Sequence, residues 1–210
     1  MARTERHPLQ ALANYLPDSC FDDVVFYLQK YSVHLTVTQA RSSILGDYRN
    51  AYQGKNHRIS INSNLNKYSF LITLLHEFAH GCVYETHKHS VAPHGREWKN
   101  TYGELLSVFL QKEIFPADIS IALRDSLHNP GASSCAEEGL MRVLRKYDNR
   151  PLNILHVEEL RLNDLFVTRE GRVFQRGEKR RTRYYCTEVK TQKVYLFNAL
   201  YEVKRLEVTG

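Results

Sequence analysis

Leu74-Leu75-His76-Glu77-Phe78-Ala79-His80-Gly81 is the stretch whose reading decides the fold of this 210-residue chain. His76 and His80 stand four residues apart, so in a helix they lie about 40° apart around the axis and about 6 Å along it. Both imidazoles then project from one face, and one nitrogen of each can reach a single Zn²⁺ at roughly 2.0–2.1 Å. Glu77, beside the first histidine, is placed to hold a water polarised by the metal and to remove its proton. The implied chemistry is attack of that water on a carbonyl, a peptide bond above all. Around the motif, Phe70, Leu71, Leu74, Leu75, Phe78, Ala79, Cys82 and Val83 recur at i, i+3, i+4 and i+7, which predicts one helix with a buried apolar face. The polar cluster Asn62-Ser63-Asn64 precedes it, and Asn64 or Asn66 serves as its N-cap.

A catalytic zinc needs a third protein ligand and an open fourth position. The candidates downstream are His87, His89, His94 and Glu97. His87 and His89 fall in the polar run Thr86-His87-Lys88-His89-Ser90 at the end of the motif helix and read as solvated. His94 is followed by Gly95 and then by Trp98, Tyr102, Leu105, Leu106, Phe109 and Leu110 at helical spacing, a second amphipathic helix able to fold back on the first. A ligand at the head of such a helix has a rigid support, so His94 is the expected third ligand. Tyr84 and Tyr102 are candidates to stabilise an oxyanion, though each reads first as packing.

H-E-x-x-H followed, after a short polar loop, by His94-Gly95-Arg96-Glu97-Trp98 resembles the SprT-like zinc metalloprotease family, which includes the Spartan proteases. The resemblance runs from about Val24 to Leu110 and matches the family pattern at His76, Glu77, His80 and His94. It implies an α+β, zincin-like domain of helices packed on a small sheet, with one Zn²⁺ held by the three histidines. It also implies Glu77 as catalytic base and activity on protein associated with or crosslinked to DNA. The second reading is a nucleic-acid-associated regulatory factor, related to transcription, with a zinc site and no proteolysis. Glu77 argues against it, since a purely structural site has no need of that carboxylate.

Composition limits the alternatives. A chain of this length with 42% hydrophobic residues can bury one solid core and a smaller second unit. No apolar run reaches the ~18–20 residues of a membrane span, and the first residues lack a signal-peptide apolar region. Cys20, Cys82, Cys135 and Cys186 are far apart and form no C-x-x-C pair, which fits a reduced cytoplasmic setting, nucleoid-associated if the protein binds DNA. Residues 140–210 hold 16 of the 29 Lys and Arg and 9 of the 23 Asp and Glu, a net +7, and the rest of the chain stands at −1. Such asymmetry predicts an anionic partner for the C-terminal third.

Taken in order, His7 to Tyr31 reads as helical with a break at Pro17 and a cap at Asp18. Ser32 to Thr38, Asp47 to Ala51 and His57 to Asn62 read as strands, with His34 on a polar sheet face. His57–Asn62 is expected beside the motif helix, as an edge strand on which a polypeptide could dock or as a plain core strand. Pro116-Ala117-Asp118 starts a short helix. The metallopeptidase domain is therefore assigned to residues 1–130. Residues 131–154 read as a linker, including Ala132-Ser133-Ser134-Cys135, with a bridging helix from Glu137 to Lys146.

Residues 155–210 read as a small antiparallel module. Its expected strands are Asp164–Thr168, Arg172–Gln175, Thr182–Glu188, Lys193–Phe197 and Tyr201–Leu206, with sheet packing by Phe166, Val173, Phe174, Tyr185, Val194 and Phe197. By resemblance it looks like the zinc ribbon of a bacterial-type member stripped of its cysteines, with Cys186 as a remnant and no second zinc. Residues 169–183 carry seven Lys and Arg against two Glu. Arg172, Arg176, Lys179, Arg180, Arg181 and Arg183 are expected to track phosphates, and Tyr184 to stack on bases of single-stranded or distorted DNA.

Overall fold

A computed structural model describes residues 9–41, 43–127, 130–149 and 153–206. The expected helical start at His7, and residues 150–152 of the linker reading, lie outside these residues. The chain divides into two compact units, Met1–Asp148 and Asn149–Gly210.

The first unit opens with a 3-10 turn, Gln10–Tyr15, and helix α1, Phe21–Lys30. Asp18 does not cap it; the N-cap is Cys20. Strands β1 (Val33–Thr38), β2 (Gly46–Arg49) and β3 (His57–Asn62) form a sheet in the order β1-β3-β2, with β1 parallel and β2 antiparallel to β3. Of the two readings of β3, edge or core strand, the sheet has the second: it is central, with inward Ile59 and Ile61 and outward Arg58 and Ser60. The edges are β1 and the shorter β2.

Helix α2, Lys67–His87, carries the motif. Asn66 is its N-cap, its side-chain oxygen accepting from the Ser69 N–H at 2.9 Å. Phe70, Leu71, Ile72, Leu74, Leu75, Phe78 and Ala79 are all at most 1% exposed. The helix is therefore buried nearly all round, rather than along one stripe, because it packs on β2 and β3 and on α3 (Arg96–Gln111) as well. Each such apolar side chain contributes about 1.5–3 kcal/mol of burial.

Helices α4 (Ala117–Ser126) and α5 (Glu138–Arg145) complete the unit. The helix expected to bridge two domains instead belongs to the first core, where Leu140 and Leu144 are buried with Cys135. Polar ties reinforce it: the Asn66 amide donates to the Leu144 carbonyl at 3.1 Å and to Asp148 at 2.7 Å, and Tyr147 donates to Asp118 at 2.8 Å. The boundary accordingly lies at Asp148/Asn149, not at residue 130.

The second unit is a six-stranded antiparallel sheet of β4 (Ile154–His156), β5 (Leu165–Val167), β6 (Val173–Arg180), β7 (Arg183–Glu188), β8 (Val194–Asn198) and β9 (Glu202–Arg205), ordered β4-β9-β5-β6-β7-β8. Val157, Leu160, Phe166, Phe174, Tyr184, Cys186 and Val203 form its core. Phe166 and Phe174 are core as expected, but Tyr185 and Val194 are exposed and Val173 half-buried. Regular alternation along β7 points Tyr184 and Cys186 inward and Tyr185 outward, while a bulge in the partner strand between Arg176 and Lys179 shifts the pairing beside them. Gly177 sits at that bulge, where an added Cβ would stand 2.9 Å from the Tyr185 carbonyl oxygen. Among the described residues no helix is long and apolar enough to cross a membrane.

Candidate metal centre

The three predicted histidines meet. His76 and His80 lie one turn apart on α2, and His94 precedes α3, held in the left-handed region at φ 56°. That conformation costs a non-glycine residue roughly 1–2 kcal/mol. The returning helix supplies the constraint: Gly95 caps α3 and donates to the Ala92 carbonyl at 3.0 Å. One nitrogen from each ring lies within 4.8 Å of the others, and Nε2 of His76 and Nε2 of His94 are 3.2 Å apart. Two nitrogens at tetrahedral angles on one Zn²⁺ stand about 3.3 Å apart, so the spacing fits that ion.

The donors are also in the right protonation state. Burial, then the neighbouring His80 and His94, push His76 down to about 3; burial, then His94, push His80 down to about 4. His94 is lowered by burial. All three rings thus keep a lone pair at neutral pH, as a metal ligand must.

A residue that the sequence reading took for simple packing organises the cluster. Trp98, 1% exposed, meets His76 edge-on at 4.6 Å, His94 edge-on at 4.6 Å and His80 in a stack at 5.3 Å. It stands one helical turn after His94, the one signal in the sequence that tied it to the site. On the other side Tyr48 of β2 stacks on His80 at 6.1 Å and 18°. The Ala51 N–H donates to His57 Nδ1 at 3.1 Å, so that nitrogen is an acceptor. Tyr48 Oη donates to it as well at 2.8 Å, and Nε2–H donates to Glu85 at 3.0 Å. Neither Tyr48 nor His57 was singled out by pattern, because their roles depend on a β2–β3–α2 junction that no local spacing encodes.

Glu77 is 5% exposed and lies against β2. Burial, then the Asp47 carboxylate, raise it to about 8, and Arg41 opposes them. The close approach requires a glycine: a Cβ on Gly46 would come 2.7 Å from Glu77 Oε1 and 2.7 Å from Thr73 Cγ2. Glu77 and the three histidines form the floor of a cleft of about 410 Å³, with Ser43–Tyr48 as one wall and Ala132–Ser134 as the other.

The remaining sequence candidates lie elsewhere. His34 is exposed on β1, and His87, His89 and Glu97 stand apart from the histidine cluster. Tyr84 is edge-on to His57 at 5.8 Å, and Tyr102 is buried against Trp98 and His76. Neither tyrosine lines the cleft.

In the second unit the expected nucleic-acid residues separate into two groups. Arg172 pairs with Glu188 at 2.8 Å and covers Phe174 and Tyr195; Arg176 lies over Tyr184 at 4.4 Å. Lys179, Arg180, Arg181 and Arg183 are exposed around the β6–β7 hairpin. Tyr184 is 5% exposed and cannot offer its ring to a base, since it lies on the inward face of β7; Tyr185, on the outward face, is 37% exposed and 5.9 Å from Arg180.

The fold and the histidine cluster define a metallopeptidase-like domain, helices on a three-stranded sheet with three histidines from α2 and the start of α3 placed so that they could hold a metal ion. A sequence model described as the SprT-like family matches residues 9–117, just over half of the chain, and the chain belongs to that family. A protease-like role follows from membership. No curated protein and no solved structure matches the chain.

Proposed function

We propose that the protein is a zinc-dependent endopeptidase acting on DNA-associated or DNA-crosslinked proteins. The observation that carries this reading is the meeting of Glu77 with His76, His80 and His94 on one cleft floor, beside the edge strand β2. Zn²⁺, when bound by the three histidines, supplies a Lewis acid that polarises water and a carbonyl. Glu77 orients the attacking water, takes its proton and returns it to the leaving amine. Burial and Asp47 favour the protonated carboxyl, and a dication bound by the histidines would favour the carboxylate that acts as base. The outer edge of β2 offers backbone groups on which an extended polypeptide adds as a strand, next to Glu77.

DNA is assigned to the second unit. Support comes from residues 149–210, which hold 13 Lys and Arg against 8 Asp and Glu, a net +5, and from the exposed Lys179, Arg180, Arg181 and Arg183 beside Tyr185. The test is cleavage of a DNA-binding protein by zinc-loaded protein, with and without single-stranded DNA, against Glu77→Gln. Cleavage stimulated by DNA and lost in Glu77→Gln supports the whole reading. Cleavage indifferent to DNA removes the partner, and no cleavage with one zinc bound per chain favours the regulatory factor.

A further inference from the structure

We propose that the segment Gly131–Ala136 is the element that sets which substrate side chains the cleft accepts, with Ala132 and Ser133 as its size-determining residues. This rests on the peptidase reading above. By composition the segment is a linker, but its place in the fold is a wall of the active cleft. Ala132–Ser134 line it together with Ser43–Tyr48, Glu77 and the three histidines. Ala132 and Ser133 are exposed, and Ser134 is half-buried.

The wall is held from behind. Cys135 is 8% exposed, its Sγ 3.9 Å from the Ser69 carbonyl and 4.0 Å from Thr73 Oγ1, two turns and one turn before Glu77 on α2. At its base the Gly131 N–H donates to Glu137 Oε1 at 2.8 Å, and the Ala136 N–H closes a turn on the Ser133 carbonyl at 3.3 Å. Thr73 is the common reference: its hydroxyl faces Cys135 while its methyl abuts Gly46 of β2. Both walls are therefore gauged from one side chain of the motif helix, and the width between them is a built dimension.

The chemistry of the wall follows from its residues. Ala, Ser and Ser bring no charge and little volume. Such a wall admits a bulky side chain of an extended polypeptide and makes no selection by charge. A protein substrate with a large residue beside the scissile bond is the class it fits. Bulk added at Ala132 or Ser133 narrows the cleft without touching the metal ligands or Glu77.

The experiment compares zinc-loaded wild type with Ala132→Leu and Ser133→Trp on peptides that differ only in the residues flanking the scissile bond. The expected result is a loss of kcat/KM of about tenfold or more for peptides with Phe or Trp there, with Gly and Ala peptides cut as by wild type. Zinc stoichiometry and Tm should match wild type. Equal losses on all peptides, or none, overturn the assignment. If the wild type cuts nothing, the peptidase reading fails separately. The wall is then tested by binding of the same peptides to the zinc-loaded proteins, read by isothermal titration calorimetry. Loss of binding confined to bulky peptides supports it, and unchanged binding overturns it.

Discussion

Replacing Gly46 by Ala adds one methyl group, and the geometry says it cannot be absorbed quietly. The new Cβ would stand 2.7 Å from both Glu77 Oε1 and Thr73 Cγ2 and 3.0 Å from Glu77 Cγ. Carbon–carbon contacts are optimal at about 3.5–4.0 Å, so the groups must part by roughly 0.5–1 Å. Thr73 is β-branched and fully buried, and cannot rotate away cheaply. Glu77 yields first, and β2 moves off α2 with it. Overpacking of this kind costs about 1–3 kcal/mol, and misplacing a catalytic group by about 1 Å costs about a hundredfold in rate. Gly46→Ala should therefore lose stability by that amount in a denaturant melt, with kcat down about a hundredfold and zinc stoichiometry unchanged. Gly139→Ala is the control, since a Cβ there meets no atom within 4 Å. A Gly46→Ala protein with wild-type kcat and stability refutes the claim that β2 positions Glu77.

The chain has one tryptophan, at the metal site, so Zn²⁺ titration into metal-free protein should change Trp98 fluorescence with an end point at one equivalent, and His94→Ala should weaken or abolish that end point. In metal-free protein Glu77 is raised from 4.5 to about 8, so the folded state binds its proton more tightly and stability falls as pH rises through that window. Glu77→Gln should thus be more stable than wild type by on the order of 3 kcal/mol at pH 7, with the gain vanishing near pH 4.5 in urea melts across that range. Tyr184→Ala removes a core ring and should destabilise the second unit by about 3–5 kcal/mol. Tyr185→Ala should leave its stability unchanged while weakening single-stranded DNA binding by about 1–3 kcal/mol in fluorescence anisotropy.

Local spacing was enough to determine the helices and most strands, and above all that the three histidines meet. The i, i+4 rule puts His76 and His80 on one face whatever surrounds them, and the apolar repeat from Trp98 to Leu110 returns His94 to them. Strand β3 was read to the residue, because alternation is a property of the strand itself. Order within a sheet is not such a property, so β3 became central, with β1 and β2 at the edges, only once three strands and a helix were packed. The same holds for Tyr184 and Tyr185: alternation puts them on opposite faces, but which face is buried depends on the packing of the whole sheet. It holds too for Ala132–Ser134, whose composition marks a loop but whose place in the cleft depends on Cys135 finding a site between Ser69 and Thr73, more than sixty residues away in the chain. Contacts of that separation leave no periodic trace in the sequence, because they are selected by the shape of the packed core and not by the local backbone.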